Sequence, residues 1–137
     1  MNKLDTLVFI SVLFSGLTIL FWLFYPYNPL EIVQPMVIVN EGKTIKGGGL
    51  LLIRTDFCKN TNIKPIIRTW VVNRVEYKLS EEEISNTVGQ NNKVIGLIFP
   101  RELPADIYHI KKEACYKINP LREICVSYKS EEFIVTK

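Results

Sequence analysis

The stretch YKINPLREICVSY, Tyr116–Tyr128, decides how the rest of the chain is read. Its alternation is that of strands: Tyr116 and Ile118 before the turn, Ile124, Val126 and Tyr128 after it, share one apolar side. Lys117, Glu123, Cys125 and Ser127 take the other. Asn119-Pro120-Leu121-Arg122 between the two runs has the composition of a turn. Extending backwards, Tyr108, Ile110 and Ala114 continue the apolar side from Asp106, interrupted by Lys112. His109, Lys111, Glu113 and Cys115 continue the other. A long strand, a tight turn and a return strand follow from a period of two with one face buried. EEFIV continues the return strand after a kink.

The hairpin brings two cysteines into register. Cys115 and Cys125 stand five residues either side of Pro120, on the same outward face. Opposite residues of an antiparallel pair approach closely enough for a disulfide. A Cys115–Cys125 bond is therefore expected, with three free thiols or a link to Cys58 as the open alternatives.

Upstream, further strands are spaced by turn signals. EIVQPMVIV (31–39) is a first strand, with Pro35 placing it at a sheet edge. A short piece at 43–46 precedes the Gly47–Gly49 turn. LLLIRTDF (50–57) puts Leu51, Ile53, Thr55 and Phe57 on one face. IIRTWVV (66–72) follows, with Trp70 expected in the core. Asn73-Arg74 reads as a two-residue hairpin loop, with a return strand over 75–79. Ser80 to Glu83 has capping-box spacing and predicts a helical turn. NTVGQNN (86–92) reads as loop, and KVIGLIF (93–99) as strand.

About seven short strands favour an all-β, immunoglobulin-like sandwich. LPADIY, Leu103–Tyr108, fits it: a tyrosine just after a turn entering the penultimate strand can lock the corner through its hydroxyl. Simple core filling is the competing role for Tyr108.

The N-terminus is of another kind. Leu7–Tyr25 is nineteen residues without a charge. As a helix it covers ~28 Å, close to the ~30 Å hydrocarbon core of a bilayer. Trp22, Tyr25 and Tyr27 gather at its end, and Pro26 and Pro29 stop it. The run is too long, and WLFYPYNP too bulky, for a cleaved signal. Residues 1–27 are therefore a short cytoplasmic terminus and a transmembrane anchor, and 28–137 an extracytoplasmic domain. Lys3 on the near side, with no lysine beyond the helix until Lys43, places the N-terminus in the cytoplasm and the domain in the periplasm. Ser11 and Ser15 make a small-xxx-small pair, which leaves self-association open but is ordinary in a spanning helix.

DFCKN (56–60), VVNRVEY (71–77), LPADIY and above all YKINPLREICVSYKSEEF (116–133) resemble small tailed-bacteriophage proteins. Those carry one N-terminal transmembrane helix and an immunoglobulin-like domain. The resemblance covers most of the outer domain. Arg74 and Asp106 depart from it, standing where glycine is usual. It implies no catalytic residues; from the motifs, no cofactor and no metal are expected.

The chain's own residues point the same way. Seventeen cations and fourteen anions leave +3, and the anchor segment's Lys3 and Asp5 cancel. That is too mild for a nucleic-acid protein. His109 is the only histidine and reads as a surface residue. There is no CxxC, no phosphate-cradling loop and no strained serine elbow. Glu81-Glu82-Glu83 reads as a solvated charge run.

The expected function is a non-enzymatic binding module, anchored by one helix in the bacterial inner membrane. It would act by contact with an unidentified membrane or periplasmic protein, for example in superinfection exclusion or lysis regulation. Asn119, Pro120, Leu121 and Arg122, and the segment 86–92, are the candidate contact loops, though turn chemistry alone accounts for the former. A membrane-associated structural subunit of a virion or envelope is the alternative. A carboxylate-only cell-wall hydrolase is the remote one, since no spacing selects a catalytic pair.

Overall fold

The computed structural model describes residues 2–137. Helix α1, Lys3–Phe24, opens the chain, with the Asn2 backbone N–H donating to Asp5 at its start. Its 22 residues reach ~33 Å at 1.5 Å per residue, long and apolar enough to cross a bilayer. None of its residues is buried. The Ser15 and Thr18 hydroxyls donate to the carbonyls of Ser11 and Phe14, both at 2.9 Å, so neither leaves an unpaired proton on the apolar helix.

Nine strands follow: β1 Leu30–Ile38, β2 Thr44–Lys46, β3 Leu50–Lys59, β4 Ile66–Val72, β5 Glu76–Glu83, β6 Gly89–Ile98, β7 Ile107–Asn119, β8 Arg122–Lys129 and β9 Phe133–Thr136. They form two sheets. One has the order β1-β3-β6; the other runs β2-β9-β7-β4-β5, with β8 also on β7. All pairings are antiparallel except β2 with β9. β8 and β9 succeed one another along the same edge of β7, separated by the expected kink. There the Ser130 N–H donates to the Ile110 carbonyl, and the Ser130 hydroxyl receives the Ile110 N–H.

The sheets enclose two apolar clusters. One gathers Met36, Ile38, Leu51, Ile53, Val71, Phe99, Tyr108, Ile110 and Phe133. Phe99 meets Tyr108 and Phe133 edge-on, at ring separations of 5.2 and 5.9 Å. The other gathers Leu30, Phe57, Ile67, Ala114 and Tyr116, at the end nearer α1. Full burial of each aliphatic side chain is worth about 1.5–3 kcal/mol, so Ile110→Ala would cost about 2–5 kcal/mol. The inward alternation of β3 and of the β7–β8 hairpin is as the sequence predicts.

Four local expectations are corrected. Trp70 is on the outer face of β4, because Ile67, Thr69 and Val71 take the inward positions. Its ring lies under the Lys111 amine, 5.4 Å from the centroid. Ser80–Glu83 is strand, since pairing with Ile66–Thr69 outweighs the capping spacing. The hairpin loop has three residues, Asn73–Val75, pinned by the Asn73 side chain, which accepts from the Arg74 and Val75 N–H groups. Gly89–Asn92 belongs to β6, laddered against Asp56–Lys59. In the Gly47–Gly49 turn the glycines are required: Gly48 has φ +78, and a Cβ on Gly49 would sit 2.8 Å from the Lys46 carbonyl.

Candidate functional site

Tyr108 opens β7, and its hydroxyl donates to the Pro104 carbonyl at 2.8 Å. That bond ties the turn before β7 to the strand. Burial, with Asp106 and Tyr77 nearby, pushes the Tyr108 hydroxyl above its ordinary pKa.

At the opposite end of β7 the hairpin tip meets the helix. Asn119 Nδ2 donates to the Trp22 carbonyl at 3.0 Å, and the Arg122 guanidinium donates to the Tyr25 carbonyl. A helix C-terminus leaves its last carbonyls unpaired and favours a cation. The Asn119–Arg122 turn supplies both, so its polar groups serve the chain's own helix. Leu121 remains exposed. Behind the tip, Cys115 and Cys125 are directly paired and form a disulfide. Cys115 is nonetheless buried, against Arg68 Nη1 at 3.8 Å. The Glu113 carboxylate lies beside the two sulfurs, but in the disulfide these are bonded to each other and are not thiolate ligands. Cys58 is free and half-buried.

The outer faces of the two sheets differ. On the larger sheet, Lys111 pairs with Glu76 at 2.9 Å, Arg68 with Glu81 at 3.3 Å, and Lys78 with Glu81. The lysine and arginine hold the Glu81 carboxyl below its usual range. Of the expected solvated run, Glu81 is paired with its own sheet, and Glu81, Glu82 and Glu83 are all exposed. His109 stays on this face, half-buried, beside Val72 and Asp106. On the three-stranded sheet, Leu50 faces Ile98, and Leu52 faces Gly96. Leu50, Val94 and Ile98 are 53%, 53% and 73% exposed, and Val37 and Val39 are exposed beside them. Leu50 and Ile98 lie at the end of the sheet away from α1, and the exposed Arg54 stands between Val37 and Val94. The outer edge of β6 lacks a further strand, while β1 is bridged at Met36 by Ser130, with the Glu131 N–H donating to the Met36 carbonyl and the Ile38 N–H donating to the Glu131 carboxylate. One Asp56 carboxylate oxygen is enclosed there without a donor, and nothing in the structure explains it.

Between the sheets, in the cluster nearer α1, lies a cavity of about 50 Å³. Phe57, Ile67, Ala114 and Tyr116 form its walls, with Asn86 and Lys93 at the β5–β6 side. Lys112 also lines it, only 7% exposed, on the inward face of β7. Burial pulls its amine below the ordinary lysine pKa, and Glu82 only partly opposes this. Tyr116 and Tyr128 line the same cavity, and burial pushes each hydroxyl up to about 12. Lys59 closes the end of this cluster, donating to the Asn86 carbonyl at 3.0 Å; burial and then Lys64 lower its pKa. The sequence marks Lys112 only as a break in an apolar side; a lone lysine at an inward parity was the available signal.

No protein-family model matches the chain, and no curated protein matches it. Among solved structures, a Niemann-Pick type C2 protein from the Japanese carpenter ant superposes with a TM-score of 0.49 at 10% identity, over 82% of this chain and 96% of that one. At that level the likeness carries no argument about fold or ligand.

Proposed function

We propose that the protein is a single-pass membrane-anchored binding module. Helix α1 holds an immunoglobulin-like sandwich on the periplasmic side of a bacterial inner membrane, and the domain acts by protein–protein contact. The immunoglobulin-like reading is supported by the order β1-β3-β6 opposite β5-β4-β7-β8, and by the Tyr108 corner bond. The chain departs from antibody domains in its outward Trp70 and in a disulfide within one sheet. The anchor is supported by an apolar helix long enough to cross a bilayer, none of whose residues is buried.

The observation that carries the binding role is the apolar outer face around Leu50, Val94 and Ile98. Apolar surface of this kind on an otherwise polar domain marks an interaction site. A bacteriophage origin, with superinfection exclusion or lysis regulation as the task, rests on the resemblance of Tyr116–Phe133 and belongs to the same proposal.

The test is photo-crosslinking in intact cells from position 37, 94 or 98, with position 78 on the other sheet as control. A discrete crosslinked product from the first three alone is expected. Equal labelling from position 78, or none from the others, would overturn the proposal. Crosslinks between copies of the chain, in purified particles, would select the structural-subunit alternative, through the β6 edge.

A further inference from the structure

We infer that the free edge of β6 is a strand-addition site, which takes an extended apolar segment of another protein, antiparallel, over residues 94–98. This rests on the binding role proposed for the neighbouring outer face and names the kind of partner that face meets. Four observations carry it.

First, the backbone of this edge is unpaired. β6 is laddered to β3 alone. The Leu52 carbonyl is turned toward β1, where it receives the Val39 N–H at 2.9 Å. In an antiparallel ladder this direction alternates residue by residue. Gly96, opposite Leu52, therefore aims its N–H and carbonyl away from β3, and Val94 and Ile98 do the same. The Phe99 N–H, of the other parity, donates to the Gly49 carbonyl at 3.0 Å, as that alternation requires. Such a row of free groups is a template for a further strand.

Second, this edge is unguarded. Folded proteins blunt exposed edges with charge, proline, bulges, shortness or cover. β1 holds Pro35, two register shifts and the cover of Ser130 and Glu131. β5 carries Glu76, Lys78 and its three closing glutamates. β2 has three residues. β8 opens with Arg122 and Glu123 and closes with Lys129. β6 pairs with β3 along its ten residues without a shift. Its one charge, Lys93, precedes the stretch and is drawn to Asn86 Oδ1 at 2.8 Å. Residues 94–98 hold neither charge nor proline.

Third, side chains on both faces lack cover. Val94 and Ile98 are exposed on the outer face, and Ile95 and Leu97 are half-buried at the margin of the core. An added strand would lay alternate residues beside each pair. The incoming run is therefore apolar on both faces, an unbroken stretch of about five residues. The charge adjoining this strip on the outer face, Arg54, is one strand away on β3.

Fourth, the anchor selects between a second copy and a foreign chain. Gly89 pairs with Lys59, which also pairs with Leu30 beside the helix. β6 therefore runs away from α1. Two copies joined antiparallel through β6 would send their helices to opposite ends. Copies held upright in one bilayer by the Asn119 and Arg122 bonds cannot do this. The occupant is a segment of another protein, running toward the membrane.

The experiment uses the full chain in nanodiscs and a probe peptide of five alternating valines and isoleucines between paired lysines. One form is N-methylated at alternate residues of the run, which blocks self-stacking and leaves one edge free. The control is methylated at every residue of the run, keeping the side chains and losing both edges. Amide hydrogen exchange is read by NMR. In the free chain the Val94, Gly96 and Ile98 amides should exchange about a hundredfold faster than those of Ile95 and Leu97. The one-edged peptide should slow the first three by about tenfold at saturation, with a Kd below about 1 mM. The control should slow none. No alternation in the free chain, no slowing by the one-edged peptide, or equal slowing by the control would each overturn the inference. In cells, Val94→Pro removes an outward N–H that makes no bond to β3, and keeps an apolar ring. Photo-crosslinking from positions 37 and 98 should then fall by about tenfold. Crosslinking that persists in V94P overturns the edge site and leaves the face reading standing. Crosslinks from position 98 between copies overturn the foreign partner. Should V94P not fold, or should the native chain give no crosslink and so sink the binding role, the peptide pair in the unchanged chain decides the edge alone.

Discussion

Lys112→Met should make the protein more stable. Lys112 lies on the inward face of β7, opposite Thr69 and Tyr128, and only 7% of it reaches solvent. Its stem packs where an apolar chain belongs; only the amine is out of place. Methionine keeps an unbranched stem of similar length and adapts to an irregular space. Replacing a buried charge with an apolar group of similar volume is often stabilising, by about 1–3 kcal/mol here. For a domain of this size that is a rise in Tm of about 5–15 °C. The sign of the pH dependence follows from the lowered pKa. The unfolded lysine keeps its proton up to its ordinary pKa of 10.5, and the folded one releases it earlier. Between the two values the unfolded state binds more protons, so stability rises with pH there. Below the folded value the penalty is complete and constant. The native chain should therefore gain stability as pH climbs toward 10, and K112M should lose that slope. Urea unfolding in detergent, followed by tryptophan fluorescence between pH 6 and 10, reads both quantities. A variant less stable than the parent at pH 7, or one keeping the same slope, would refute the reading that burial penalises the charged Lys112.

The tyrosines act in the opposite window. With Tyr116 and Tyr128 raised to about 12, stability is intact below pH 10 and lost as pH rises through 12. About 2 kcal/mol is at stake for each; absorbance at 295 nm should show two late phenols, absent in the double phenylalanine variant. Tyr108→Phe keeps the packed ring but leaves the Pro104 carbonyl without its donor. A loss of about 1–2 kcal/mol in chemical denaturation is expected. Reducing the Cys115–Cys125 bond frees a loop of sequence separation 10. The chain-entropy relation puts that at about 2–3 kcal/mol, measurable as a shift in urea midpoint with and without reductant. Replacing Leu50 and Ile98 together with lysine should abolish partner crosslinking from position 94 with a change in stability under about 1 kcal/mol, because both side chains are already solvated.

What the sequence makes legible is what a single buried face dictates. Tyr108, Ile110, Ala114 and Tyr116 alternate strictly because β7 has one side in the core and one side out. The same parity sets Cys115 opposite Cys125. Where both faces carry apolar residues, parity fails. In IIRTWVV one register offers two apolar side chains, Ile67 and Val71, and the other three, Ile66, Trp70 and Val72, and the bulk of Trp70 suggests the wrong one. In LLLIRTDF the parity holds, with Leu51 and Ile53 inward, but it gives no sign that the outward Leu50 stays exposed. Polar strands are hidden for another reason. Gly89-Gln90-Asn91-Asn92 has little intrinsic preference for strand and takes it from pairing with β3. Asn91 then folds its side chain onto the carbonyls of Thr87 and Gly89 at 2.8 and 2.9 Å. The cavity beside Lys112 is a matter of shape between two sheets, and no local pattern encodes it.

The position of the apolar patch decides what kind of molecule can cover it. Leu30 begins β1 six residues after α1 ends, and it pairs with Lys59 of β3. Asn119, at the far end of β7, touches the Trp22 carbonyl. Both contacts put the same end of the sandwich beside the helix C-terminus, where a spanning helix meets the headgroups. From Leu30 to Ile38, β1 climbs away over about 26 Å at ~3.3 Å per residue. Val39, Leu50 and Ile98 lie beyond that point, near the Gly47–Gly49 turn. A bilayer entered at Trp22 would reach Leu121 and not Ile98 unless the domain lay flat. Lying flat would break the Asn119 and Arg122 bonds that cap the helix. Lipid is thus a poor cover for this surface under the anchored reading. A protein standing off the membrane by the height of the domain, or a neighbouring copy held upright by the same two bonds, meets the geometry.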